Sequence, residues 1–291
     1  MPIEKGFRVR LLSPMGEYPP QSFFSQSAAL IISPDVCFTI TRVQSRDWSF
    51  SEADSLTRIE LPLYGSMLLC GEPGTPHCSP YPTSVLTDLG TISDEEIGPN
   101  VDKCKALIVE RFRGCERDIY SGARGHKPPV CGGDVYSLKA IGDDADQRVT
   151  LKHLEEADDV LLRGVGCILK AGMLFQLREF AEAACIYLWI ALDAAHSMVL
   201  RKIRNTGIAN PTSADAARYF ERISGYETGW EKFFEDDYEN RIRAIHPDNR
   251  FGAEAIPQFL ADDFYELRAV LIPLFHFLVN DRPDIAKATV A

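Results

Sequence analysis

Arg241 and His246, with four residues between them, are the pair in this chain whose types and spacing best suit chemistry at a phosphodiester. Arginine offers a planar, permanently charged fork that matches phosphate oxygens. Histidine gives and takes protons near neutral pH. The stretch that must position them reads as a helix with both ends marked. Thr228 followed three residues later by Glu231 is a capping box. Pro247 disfavours helical geometry at His246, so the helix stops there. Phe234, Tyr238, Ile242 and Ile245 fall on one stripe at helical spacing. Arg241 lies on or beside that stripe, while Arg243 points elsewhere. A guanidinium beside an apolar seam needs a partner, because an isolated buried charge is very costly. The plain structural reading gives Arg241 an ion pair with Asp193, Asp236 or Asp237, and makes His246 a helix C-cap, where a cationic imidazole is favoured.

A chain of 291 residues can hold one large domain or two ordinary ones. Its net charge of −11 argues against a broad phosphate-coating surface, though not against a local basic cleft. Two basic clusters stand out, Arg201, Lys202 and Arg204, and then Arg241, Arg243 and Arg250. Their bland reading is a pair of solvated helix ends. The opening Met-Pro-Ile-Glu-Lys lacks the basic-then-apolar pattern of a signal peptide. No apolar run was expected to reach the ~18 residues of a membrane span. A cytoplasmic location away from membranes is the expectation.

The cysteines, eight in number, read as reduced thiols. Cys37, Cys104, Cys167 and Cys185 lie in apolar surroundings, whereas Cys70, His77, Cys78, Cys115, His126 and Cys131 lie in polar, Gly/Pro-rich stretches. No C-x2-C pair is present, so neither a metal nor another cofactor is expected. Residues 1–142 show no glycine-rich phosphate loop, nucleophile elbow or H-E-x-x-H motif.

The expected class is α+β. Residues 1–142 read as a β-rich or α+β domain, with short apolar or alternating runs at 7–12, 28–33, 36–44, 58–70, 105–112 and 135–141. Within them, 39–43 and 58–61 alternate as half-buried strands do. The acidic stretch 142–147 reads as a link. Residues 149–280 read as a bundle of about five helices, over 149–171, 173–204, 212–224, 233–246 and 261–279. Pro273 predicts a kink or break in the last, and 281–291 reads as a tail. His196 and His276, inside apolar helical stretches, read as hydrogen-bonded core or interface residues. Trp189 reads as a core or dimer-interface residue.

From about residue 173 the order of elements resembles a HEPN domain, a helical-bundle family whose R-x4-6-H motif is matched by Arg241 and His246. The run Tyr187-Leu188-Trp189-Ile190-Ala191-Leu192-Asp193-Ala194-Ala195-His196, closing in Arg201, Lys202 and Arg204, resembles the family's long apolar helix. Asp193 stands where that helix often has Glu, and Ile242 where the residue after the arginine is often polar. The resemblance implies a homodimer formed through the helical bundle, with two Arg/His pairs around one cleft. It implies a metal-independent endoribonuclease, a toxin or defence effector, in which Arg241 binds the scissile phosphate and His246 is general acid or base. RNA supplies its own nucleophile in the 2′-OH. Asp193, Tyr238 and Asn240 would support the pair. Arg201, Lys202, Arg204, Arg243 and Arg250 would bind RNA. The N-terminal domain would sense a trigger or bind a regulatory protein. The alternative is a non-catalytic helical module that serves as a dimerisation, interaction or nucleotide-binding scaffold, which the acidic net charge and Ile242 favour.

Overall fold

A helix, α1 (Glu60–Leu69), stands where strand alternation was expected. The structure is a computed structural model that describes residues 6–13, 21–24, 28–32, 37–43, 56–70, 81–87, 144–175, 178–224 and 261–281. A capping box sets the start of α1. The Glu60 N–H donates to Thr57 Oγ1 at 3.2 Å, and the Thr57 N–H donates to Glu60 Oε2 at 2.9 Å. From there Leu63, Tyr64, Met67, Leu68 and Leu69 are all buried, so the short run is apolar nearly all round. Two exchanged hydrogen bonds and burial on every side outweigh the local alternation of Arg58-Ile59-Glu60-Leu61.

The chain divides into two units, Met1–Tyr64 with Thr75–Ile141, and Gly65–Gly74 with Gly142–Ala291. In the first, backbone pairing traces strands β1 (Gly6–Ser13), β2 (Gln21–Phe24), β3 (Ala28–Ile32), β4 (Cys37–Val43) and β5 (Tyr81–Thr87). They pair antiparallel in the order β2-β3-β4-β1-β5, with Val9 opposite Ile40 and Leu30 opposite Thr39. Thr39 Oγ1 donates to Glu60 Oε1 at 3.1 Å and accepts from the Tyr64 hydroxyl at 3.3 Å. The buried Glu60 carboxylate therefore has donors at both oxygens, which is what permits its burial.

The expected α+β class, with a β-rich or α+β N-terminal domain, is corrected here. Outside the strands traced by backbone pairing, the described residues are about 84% helical, so a β-rich N-terminal domain is not supported. One reason is the run 58–70, whose start at 58–61 reads as strand alternation and which holds the helix α1. The runs expected at 105–112 and 135–141 lie outside the described residues.

The second unit is built from α2 (Asp144–Glu155), α3 (Asp159–Phe175), a 3-10 turn (Arg178–Phe180), α4 (Ala181–Asn205), α5 (Ser213–Ser224) and α6 (Ala261–Asn280). Residues 144–147 of the acidic stretch read as a link are instead the first turn of α2, which carries the buried Leu151 and Leu154. One continuous helix over 149–171 was expected. Asp158 divides it, because its Oδ1 accepts the N–H groups of Val160 and Leu161, both at 2.9 Å, and so caps α3.

The central helix is α4. It packs against α3, α5 and α6, while α2 and α3 also pack against α6. Ala184, Leu188, Ala191, Leu192, Ala195 and Val199 are buried along it, and the alanines let neighbouring backbones come close. Gly164 on α3 serves the same end, since a Cβ there would overlap the Phe275 ring of α6 and lie 3.1 Å from the Ala194 Cβ. By length and composition α4 could cross a membrane, contrary to the expectation that no run would reach that length. Half of its most apolar window is buried among the other helices, as in the centre of a bundle. Pro273 lies inside α6 without ending it. The end comes at Asp281, in the left-handed region at φ 54°, with its N–H on the Phe277 carbonyl at 2.7 Å.

Helix α5 starts where its caps predict. Thr212 Oγ1 accepts from the Asp215 N–H at 3.3 Å, and Asp215 Oδ2 accepts from the Thr212 N–H at 2.8 Å. The Thr212 backbone and hydroxyl, and then Arg218, hold the Asp215 carboxyl down to about 2. A depressed folded-state value means that this contribution is present above the ordinary 3.8 and is lost as pH falls towards about 2. An NMR titration of Asp215 should therefore show a midpoint near 2, raised in Thr212→Ala. A midpoint at the ordinary value in the wild type would contradict the cap geometry.

Candidate functional site

Three helices of the second unit converge on a buried polar cluster. Cys70 follows the last turn of α1, held by its N–H on the Ser66 carbonyl at 3.0 Å. Asp146, Thr150 and His153 recur at i, i+4 and i+7 on α2, so they share one face. His276 and Asn280 stand four apart on α6. Thr150 and His276 are buried, and the side chain of Asp146 keeps 24% of its surface exposed.

The geometry centres on His276 Nε2. It lies 3.2 Å from Asp146 Oδ2, 3.4 Å from Thr150 Oγ1 and 3.7 Å from Cys70 Sγ. Cys70 Sγ is in turn 3.4 Å from Thr150 Oγ1 and 3.9 Å from Asp146 Oδ2. A second layer fixes Thr150, whose Oγ1 accepts from Asn280 Nδ2 at 2.8 Å, while Asn280 Oδ1 meets His153 Nδ1 at 2.9 Å. Burial pushes the Cys70 thiol up to about 12. Its hydrogen bond with Thr150 pulls the other way, and the Asp146 carboxylate adds to the rise.

Two chemical readings follow. A nucleophile–base–orienter chain places its thiol and its carboxylate on opposite ring nitrogens of the histidine. Here both face Nε2, and a thiol held protonated beside a carboxylate is a poor nucleophile. The alternative is convergence on a shared centre, and the donor atoms of Cys70, Asp146 and His276 all lie within 4.8 Å of one another. No family model, curated protein or solved structure matches the chain. The residues themselves therefore carry the functional reading.

Of the sequence-derived site, Tyr238, Asn240, Arg241, Arg243, His246 and Arg250 lie outside the described residues. The rest sits on α4. Asp193 is exposed, three residues before the half-buried His196. Burial lowers the His196 imidazole from its ordinary value, and the Asp193 carboxylate opposes that shift. Arg201 pairs with Asp158 at 2.7 Å, both side chains about half exposed. Lys202 pairs with Asp281 at 2.6 Å and lies 5.3 Å from the centre of the Phe277 ring. Arg204 is exposed in the last turn. His276 is hydrogen-bonded in the core, as its apolar surroundings predict, and Trp189 is buried.

Sequence reasoning missed Cys70, Asp146, Thr150 and Asn280 as a group. A weak signal existed, in Thr150 and His153 at helical spacing from Asp146, and in the His276/Asn280 pair interrupting an apolar helix.

Proposed function

We propose that this chain is a HEPN-like, metal-independent endoribonuclease that works as a homodimer, with Arg241 binding the scissile phosphate and His246 as general acid or base. The observation that carries the reading is the basic end of α4. The central apolar helix of the unit closes in Arg201, Lys202 and Arg204, and the Arg241/His246 stretch falls in sequence between α5 and the apolar α6. The partners of Arg201 and Lys202 are partly exposed carboxylates, and ion pairs of that kind contribute only about 0–1 kcal/mol. An RNA phosphate can replace them at little cost. Asp193, Tyr238 and Asn240 support the pair, and Arg243 and Arg250 extend the basic surface. The first unit binds a trigger or regulatory protein.

The test is RNA cleavage by wild-type protein and by His246→Ala, with a chelator present and with fold and dimerisation checked in both. Removing a general acid–base should lower cleavage by about 10²–10⁴-fold while the variant stays dimeric. Equal cleavage by the two proteins would end the residue assignment.

A second reading, the non-catalytic interaction scaffold, is favoured by the net charge of −11 and by the carboxylates already seated on Arg201 and Lys202. Dimeric wild-type protein with neither cleavage nor RNA binding would select it.

A further inference from the structure

We propose that Cys70, Asp146 and His276 form a zinc-class divalent metal site that ties the end of α1 to α2 and α6.

The spacing is the first support. Tetrahedral zinc, with bonds of about 2.0–2.2 Å to N and O and about 2.3 Å to S, separates its N and O donors by about 3.3 Å and S from either by about 3.6 Å. The corresponding distances here are 3.2 Å for His276 to Asp146, 3.7 Å for Cys70 to His276 and 3.9 Å for Cys70 to Asp146. Each edge lies within a few tenths of an ångström of that figure. The three donors therefore need only a small shift to close on one ion.

Charge is the second support. A thiolate, a carboxylate and a neutral imidazole sum to −2, which a divalent cation cancels. A neutral cluster avoids the cost of burying an uncompensated charge. Metal binding would also release the Cys70 proton, overriding the burial that otherwise keeps the thiol neutral.

The surrounding shell is the third. Thr150 Oγ1 accepts hydrogen bonds from Asn280 Nδ2 at 2.8 Å and from the Cys70 thiol at 3.4 Å, and once metal binding makes Cys70 a thiolate the Thr150 hydroxyl can turn to donate to it. Asn280 is held in turn by His153. Such outer partners orient ligands and tune affinity. Water fills the fourth position, and the part-exposed Asp146 carboxylate gives the ion its way in. The ion would hold the end of α1, α2 and α6 together, a role that lies outside the chemistry proposed for Arg241 and His246.

The experiment measures zinc and cobalt binding to the full-length protein, purified metal-free and reloaded. One equivalent of Zn²⁺ per chain should bind, and Co²⁺ should give a thiolate-to-metal charge-transfer band. That band should be lost in Cys70→Ser and retained in Cys167→Ser and Cys185→Ser. Asp146→Asn and Thr150→Val keep both the thiol and the shape of the core, so they inform even if Cys70→Ser fails to fold. Zn²⁺ affinity should fall by about 100-fold or more in the first and by about 10-fold in the second. Absence of the band in wild type, its persistence in folded Cys70→Ser, or unchanged affinity in both Asp146→Asn and Thr150→Val would each overturn the site.

Discussion

Phe275→Ala should destabilise the helical unit by about 3–5 kcal/mol, measured by urea denaturation followed by circular dichroism. Phe275 is fully buried on α6, and its ring lies against Gly164 of α3, where α4 also brings Ala194. Truncation removes the ring from the meeting point of three helices. Those helices cannot collapse into the space independently, because α3 and α6 both pack on α4 and on each other. The loss therefore combines the transfer of a phenyl group to water with a cavity that persists. A measured change below about 1 kcal/mol would show that the ring is not seated there.

The second large effect is a reversal of sign at Gly164. Glycine inside a helix is ordinarily about 1 kcal/mol worse than alanine, so Gly→Ala in a helix usually stabilises. A methyl at Gly164 would overlap the Phe275 ring, and overpacking of a dense core costs about 1–3 kcal/mol. Gly164→Ala should thus lose up to about 2 kcal/mol on balance instead of gaining stability. In a Phe275→Leu background the overlap is relieved, and the same substitution should become neutral or stabilising. That coupling, of about 0.5–3 kcal/mol, is read from a double-mutant cycle. Additive effects would mean that the two residues do not touch.

How much of this was legible differed by element, for physical reasons. The central helix α4 was plain, because a run that is apolar nearly all round has few other places to go. The start of α5 was equally plain, since Thr212 and Ser213 are strong capping types. Helix α1 carries two competing signals: Thr57 and Glu60 have the capping-box spacing, while Arg58 to Leu61 alternate as a strand does, and the cap prevails. The break at Asp158 was written in an N-cap residue type and was overlooked within a long periodic run. The Cys70–Asp146–His276 cluster left only a weak signal in the sequence. Metal motifs are recognised by donors close in sequence, and these three are brought together only by tertiary packing. Asp146 was moreover taken for part of a link, which removed it from any helix face. The Arg241/His246 pair is a local pattern, which is why sequence alone could single it out.

The placement of Gly65–Gly74 within the second unit has a consequence for how the protein is made. Cys70 and His276 are 206 residues apart. At synthesis rates of about 5–20 residues per second, Cys70 leaves the ribosome on the order of 10–40 s before its partner exists. The contact of Cys70 with His276 must therefore wait while the chain between is translated. Contacts of such separation carry a loop-closure cost and slow the final step of folding. Among the described residues, the contact between the end of α1 and α6 therefore forms late, after the chain between them has been made.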